Sequence, residues 1–137
     1  MDNPYSSDLD RKRAQRYVLL KHIYDVSDGD ETHMFTTQEF EKKYDWDTNT
    51  CRKLVQYLEG EDLIQVQWFI GGDGLVGITH AGIVQIENAV IHPVSNTQYF
   101  PPVSQIVFVA NGNITIGGHV VGRDLIQSRN EGNQTSS

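Results

Sequence analysis

The pattern of apolar and polar residues begins with an amphipathic helix. Over residues 8–26 apolar side chains recur at helical spacing and form one stripe, which consists of Tyr17, Val18, Leu19, Leu20, Ile23 and Tyr24. Asp8 is suited to cap the start of this helix, and the polar run at residues 27–30 has the composition of a turn. The pattern therefore predicts a first helix over residues 8–26.

Two shorter helices follow, separated by a tight turn at residues 45–47. Phe40 and Tyr44 are spaced i and i+4 in a helical run over residues 38–44, after a short extended segment at residues 33–35. Asp47 or Thr48 is placed to cap a third helix over residues 49–60. The predicted buried side of that helix consists of Cys51, Leu54, Val55 and Leu58.

A hairpin and a fourth helix come next. Residues 63–70 and 75–78 are strand-like, and the glycine-rich run at residues 71–74 predicts the hairpin tip. Thr79 is placed to cap a helix that runs to about residue 90, and its predicted apolar line is Ile83, Ile86 and Val90. Prolines at 93, 101 and 102 then interrupt regular structure, which predicts a linker over residues 91–102.

Residues 103–128 read as short strands interrupted by glycine. Strands are predicted at residues 105–110, 113–116, 119–121 and 125–127, and residues 129–137 are predicted to be a disordered polar tail. A sheet this small is marginal alone, so it must cover either the helical body of its own chain or the same segment of neighbouring chains. The linker favours self-association, and the predicted oligomerisation residues are Ile106, Phe108, Ile114, Ile116, Val120 and Ile126.

Composition limits the classes of function. The 137 residues carry a formal net charge of -7, which excludes coating of nucleic acid by bulk positive charge but leaves room for a local basic face. The one cysteine, Cys51, excludes an internal disulfide and is ordinary for a reducing compartment. No apolar run approaches the ~20 residues of a membrane helix, and the first residues lack the apolar region of a secretory signal. We therefore expect a cytoplasmic protein with no membrane partner.

Catalytic and metal-binding patterns do not emerge from the sequence. No histidine stands at ligand spacing from another His or Cys; the five are His22, His33, His80, His92 and His119. The glycine-rich runs lack the Lys-Ser/Thr end of a phosphate loop and the dinucleotide-binding spacing. We expect no enzyme, no metal and no cofactor, with Cys51 a buried structural thiol.

The order of elements resembles a winged-helix domain. TTQEFEKKYDWDTNTCRKLVQYLEGEDLIQ, residues 36–65, resembles a helix-turn-helix core that leads into a wing. GITHAGIVQIE, residues 77–87, is similar to the "I-T-x-x-G-x-x-x-I/L-E" close of many winged-helix regulators, including the MarR-like ones. The resemblance implies an α+β winged helix-turn-helix over residues 1–90, with a three-helix core, a β-hairpin wing and a fourth helix, followed by the small all-β oligomerisation segment.

The resemblance also implies a DNA-binding surface. The third helix would be the recognition helix, and its exposed residues have side chains suited to base edges and phosphates; they are Thr48, Asn49, Thr50, Arg52, Lys53 and Gln56. Further contacts to the DNA backbone are expected from Lys42, Lys43, Arg11, Lys12, Arg13 and Arg16. For Arg52 and Lys53 a plain solvated helix face is an equal alternative, and for residues 11–13 local ion pairs are favoured. The wing departs from the family, because it carries Asp73 where DNA-reading wings commonly bring Arg or Lys.

Three functions follow as hypotheses. The leading one is a winged-helix protein that binds duplex DNA, of the transcriptional-regulator type or associated with a defence system, and that is multimerised by its C-terminal segment. The association with a defence system is suggested by NITIGGHVVGRD, residues 113–124, which resembles a glycine-rich β motif seen in bacterial defence-type proteins. The alternative is a non-enzymatic adaptor whose winged helix docks a protein partner. A nucleic-acid-processing enzyme is the weakest of the three.

Overall fold

The structure is a computed structural model that describes residues 4–108 and 114–116. These residues form four α-helices and two small antiparallel sheets, which confirms the α+β class. The elements in chain order are α1 (Pro4–Ser27), β1 (Phe35–Thr36), α2 (Thr37–Tyr44), α3 (Thr48–Gly60), β2 (Ile64–Trp68), β3 (Gly74–Ile78), α4 (His80–Ile91), a short 3₁₀ turn (Val103–Gln105), β4 (Ile106–Phe108) and β5 (Ile114–Ile116).

The first helix is longer at its start than predicted. It begins at Pro4, a residue whose fixed φ and missing N–H suit the first turn of a helix. Asp8 therefore lies inside α1, and the prediction that it caps the helix is wrong. The end of α1 agrees with the predicted turn, because Asp28 and Gly29 adopt φ angles of 55° and 73° and the Gly29 N–H donates to the Tyr24 carbonyl.

Side-chain caps fix the next two helices. Thr36 and Glu39 form a capping box at the start of α2, and Asp45 ends that helix at φ 54°. Asp47 caps α3 by accepting a hydrogen bond of 2.7 Å from the Thr50 N–H, so it is Asp47 and not Thr48 that fills this role. The predicted inner residues of both helices are buried, and they are Phe40, Tyr44, Cys51, Leu54, Val55 and Leu58.

The three-stranded sheet joins the hairpin to the helical body. Its strand order is β1-β3-β2, with Val76 of β3 placed between Phe35 and Val66. β2 ends at Trp68, two residues before the predicted end at residue 70. Phe69 begins a tight turn instead, because its N–H donates to the Asp73 carbonyl at 2.7 Å. We call residues 69–74 the wing tip, after the wing that the sequence resemblance predicts for this hairpin.

The fourth helix approaches the end of α3 closely. Thr79 caps α4 as predicted: its hydroxyl accepts from the Gly82 N–H and donates to the Asp62 carbonyl, at 3.0 and 2.6 Å. Ile86 is buried, but Val90 is 46% exposed, so its place in the predicted apolar line is wrong. The buried line passes instead through Gly82, Ile86 and Ala89, and Gly82 lets the helix lie close to the Leu63 backbone.

The segment between α4 and β4 packs onto the helices. Residues 92–102 contain no helix or strand, as predicted, but Phe100 is completely buried and meets the Tyr17 ring edge-on at 5.4 Å. Arg13 of α1 donates to the Thr97 carbonyl at 3.0 Å, and the Tyr99 hydroxyl donates to Glu61 at 3.1 Å. A domain boundary here stays a prediction, although residues 97–100 do not form a free spacer.

The described part of the C-terminal segment is one strand pair. β4 and β5 are antiparallel, with Ile106 opposite Ile116 and Phe108 opposite Ile114. β5 contacts α1 of the same chain, which favours the alternative in which this hairpin packs on the helices. Val120 and Ile126, the predicted strands at 119–121 and 125–127 and the predicted tail lie outside the described residues. Self-association stays a prediction.

Candidate nucleic-acid interface

The outer face of α3 presents the predicted recognition residues to solvent. Asn49, Lys53 and Gln56 are exposed and follow one another at i, i+4 and i+7, so they form one line along the helix. Thr48 is also exposed, whereas Thr50 and Arg52 are half-buried. The opposite face of α3 is in the core. The structure therefore places four of the six predicted side chains on an uncovered surface and the other two, Thr50 and Arg52, at its edges.

Arg52 differs from the others because it leans on the wing. A Cβ atom built on Gly72 would lie 3.2 Å from Nη2 of Arg52, so the guanidinium lies directly against the wing tip. Glycine at this position leaves room for that contact, and its φ of 100° is one that other residues adopt rarely. Arg52 therefore borders the α3 surface on the wing side.

The wing tip is apolar rather than basic. Phe69 is 45% exposed and Ile70 is fully exposed, while the Asp73 carboxylate accepts a 3.0 Å hydrogen bond from the Gln38 side chain. Gln38 lies in the first turn of α2, where the helix dipole favours a negative charge. Asp73 is thus turned toward α2. The sequence pattern placed these two apolar residues in the strand and so did not predict their exposure. Their position directly before Gly71 was the signal that they belong to the turn.

A groove between α1 and α3 collects basic residues beside the recognition face. It has a volume of about 440 Å³, and no Asp or Glu is among the residues that line it: Arg11, Lys12, Gln15, Arg16, Asn49, Thr50, Lys53 and Leu54. We call this the α1–α3 groove. It joins backbone-contact candidates of α1 with base-contact candidates of α3, a juxtaposition that neither helix pattern predicts separately.

Arg16 is the most constrained cation of the groove. Its guanidinium stacks on the Tyr57 ring with 3.6 Å between Cζ and the ring centroid. Its Nε is buried, and no hydrogen-bond partner for it exists in the part of the chain that the structure describes. Burial lowers the pKa of Arg16 from its ordinary value, although the pKa of arginine is so high that the group stays charged. The groove is therefore lined by a charged side chain that is held against Tyr57.

The neighbouring cations of α1 have local partners. Asp8 pairs with both Arg11 and Lys12, at 3.3 Å for Lys12, which confirms the ion-pair interpretation for these two residues. All three side chains are substantially exposed, and such pairs contribute little to stability and exchange easily. Arg13 points away from the groove, toward Thr97. Arg13 therefore attaches the segment that leads to β4 to α1.

The two lysines of α2, Lys42 and Lys43, are not among the residues that line the α1–α3 groove. Lys42 and Lys43 are exposed in the last turn of α2, where a positive charge complements the helix dipole. Lys43 lies 5.9 Å from the Tyr44 ring centroid and lines a different cavity of about 300 Å³ beside α1. The structure thus places Lys43 apart from the α1–α3 groove.

Other chemistry is sparse in the described residues. Within 4–108 and 114–116, no group of three or more His, Cys, Asp or Glu side chains is placed to hold a metal ion. Cys51 is buried, and that burial raises the pKa of its thiol to about 12. None of the helices in these ranges has the length and apolar character needed to cross a bilayer.

Comparison with known proteins adds no family to this geometry. The chain matches no protein-family model, no curated protein and no solved structure. A functional assignment therefore depends on the residues described above.

Proposed function

We propose that this chain is a winged-helix protein that binds duplex DNA through α3. The observation that carries the proposal is the uncovered line of Asn49, Lys53 and Gln56 on a helix whose other face is in the core. Support for the fold comes from the order of elements and from the pairing of β1 with β3, which anchors the hairpin to the helical body. The proposed role is that of a transcriptional regulator or of a defence-associated module, in the cytoplasm and without a cofactor.

The chemistry of the line fits base and phosphate contacts. A helix about 10–12 Å in diameter enters a major groove about 12 Å wide. Asn49 and Gln56 offer amides that pair with adenine edges, and Lys53 lies between them as a donor to guanine or phosphate. Arg52 lies at the wing side of the same helix, with its guanidinium close to Gly72.

The test is a salt series with a short mixed-sequence duplex. Fluorescence anisotropy would measure binding by the intact chain, by the double variant Arg52→Glu/Lys53→Glu and by a control, Lys21→Glu. Lys21 lies on α1 outside the α1–α3 groove and pairs with Asp25, so its variant changes charge away from the proposed surface. We expect binding at low salt by the intact chain and the control, and its loss in the double variant. Absence of binding by the intact chain at low salt would refute DNA recognition.

Multimerisation through residues 103–128 is part of the proposal. The net charge of -7 opposes tight binding by a single copy, whereas two linked copies add their weak half-sites. Sedimentation of the intact chain and of a chain ending at residue 105, which keeps Phe100 and its packing, measures the copy number. Equal monomer masses would refute multimerisation.

The wing tip supports a second candidate function. Phe69 and Ile70 are exposed apolar side chains on a turn with no Lys or Arg, a surface better suited to a protein partner than to phosphate. In this adaptor, the winged helix docks a protein and the C-terminal segment multiplies the copies. The two functions separate in the salt series, because an adaptor gives no duplex binding and no effect of the Arg52→Glu/Lys53→Glu variant.

A further inference from the structure

We propose that the α1–α3 groove binds a phosphate group of the DNA backbone, with Arg16 as its fixed donor and Lys12 and Lys53 as its rim. The inference rests on the proposed function, since duplex DNA is the source of the phosphate. It assigns the electrostatic part of binding mainly to α1, with Lys53 as the contribution of α3, whereas the base contacts belong to the other exposed residues of α3.

The position of the groove follows from the size of the two partners. A helix that fills the major groove has a row of phosphates on each side. The elements that flank α3 therefore lie over those rows. On one side is the wing tip, and on the other is the first half of α1 across the α1–α3 groove.

The two flanks carry very different charge. Residues 69–74 include Asp73 and no Lys or Arg, so the wing flank offers Arg52 alone. The α1 flank offers three cations, which are Arg11, Lys12 and Arg16, and Lys53 of α3 faces the same groove. Since phosphate neutralisation supplies most of the sequence-independent binding energy, the α1 flank must carry it in this protein.

Arg16 is preorganised for an anionic oxygen. The stack on Tyr57 fixes the plane of the guanidinium, so little side-chain freedom remains to be lost on binding. Its Nε is closed off from solvent, so a phosphate in the groove would face the accessible part of the Arg16 side chain that lines it. The Gln15, Asn49 and Thr50 side chains line the same groove and add neutral donors.

Asp8 does not block the site. It is not among the lining residues, and it shares one carboxylate between Arg11 and Lys12. Both ion pairs are exposed and bridge one helical turn, so a phosphate can replace the carboxylate at small cost. Because Asp8 carries one negative charge and its two partners carry two positive charges, one positive charge remains even while both pairs are formed.

The test uses the intact chain and groove variants outside α3. Arg16→Gln and Lys12→Gln remove a groove charge, Arg16→Lys restores the charge at 16, and Lys21→Gln is the control on the same helix. Binding of a short mixed-sequence duplex is measured across a salt series. We expect each groove variant to reduce the slope of log K against log salt by about one, Arg16→Lys to recover it, and the control to leave it unchanged. If Arg16→Gln fails to fold, the salt slope of Lys12→Gln and the NMR signal of the Arg16 Nε–H decide whether the groove binds phosphate.

A direct readout comes from the Arg16 Nε–H resonance, assigned by its loss in Arg16→Lys. We expect it to shift when the duplex is added, and not when sodium chloride of equal ionic strength is added. A shift with inorganic phosphate but none with duplex would define a small-anion site and overturn the proposal. Duplex binding that Gln56→Ala weakens, with the slope unchanged in both groove variants, would overturn the groove and leave the α3 function standing. No duplex binding at all overturns both.

Discussion

Replacement of Gly82 by alanine tests how closely α4 approaches the body of the domain. A Cβ atom built on Gly82 would lie 2.1 Å from the Leu63 carbonyl oxygen and 2.9 Å from Cγ1 of Ile78. The oxygen belongs to the backbone and cannot rotate away, so α4 itself must move. That movement also stretches the 3.0 Å hydrogen bond by which Thr79 caps the helix.

The size of the effect follows from three contributions. Overpacking a core position costs about 1–3 kcal/mol, and loss of a helix cap costs about 1 kcal/mol. The higher helix propensity of alanine relative to glycine offsets about 0.5–1 kcal/mol of this loss. We therefore expect Gly82→Ala to lower the free energy of unfolding by about 2 kcal/mol, which for a chain of this size is roughly 6–10 °C in Tm.

The matched control is Gly60→Ala, at the last residue of α3. Apart from its chain neighbours and the backbone of its own helix, no heavy atom of the described residues lies within 4 Å of a Cβ built on Gly60, so the same chemical change should be neutral or stabilise by up to about 1 kcal/mol. Urea unfolding followed by circular dichroism and by tryptophan fluorescence measures both variants. If Gly82→Ala were as stable as Gly60→Ala, the close approach of α4 to Leu63 would be wrong.

Three further predictions concern buried or half-buried side chains. Phe100→Ala should lower the free energy of unfolding by about 3–5 kcal/mol in urea, because the ring is completely buried against Tyr17; a loss below about 1 kcal/mol would mean that the segment is not docked. Cys51, with its pKa raised to about 12, should resist iodoacetamide at neutral pH until urea unfolds the chain, and rapid labelling of the native protein would contradict its burial. Burial first, and Lys43 second, lower the pKa of His22, so the unfolded state takes up its proton first as the pH falls. The free energy of unfolding should therefore decrease as the pH falls through about 6.5 and toward the lower folded pKa, and His22→Gln should flatten this dependence; an NMR titration with a pKa above 6.5 would refute it.

Local chemistry made much of the helical part predictable. The predicted caps at Asp47 and Thr79 depend on residues within three positions of one another, and the buried side of α3 depends on helical spacing alone. Such features survive folding because they need no knowledge of what packs against them. The start of α1 was missed because Asp8, a good capping residue, also pairs well with Arg11 inside a helix.

Features that depend on packing were not predictable from the sequence. Val90 fits the helical line as well as Ala89 does, and only the approach to Leu63 decides which side of α4 is buried. The α1–α3 groove likewise depends on how two helices cross, and no spacing within either helix encodes that. The docking of Phe100 was missed because prolines on its C-terminal side indicate a loop without saying where the loop packs.

The attachment of residues 97–100 to α1 has a geometric consequence for any assembly. Arg13 and Tyr17 hold this segment just before the chain enters β4, so the exit point of the C-terminal segment is fixed relative to α3. Copies that joined through that segment would hold their α3 helices at a set separation and angle instead of on slack tethers. Under the proposed DNA recognition, their binding sites would then tolerate little change in the number of base pairs between half-sites, since each added base pair also rotates one half-site around the duplex.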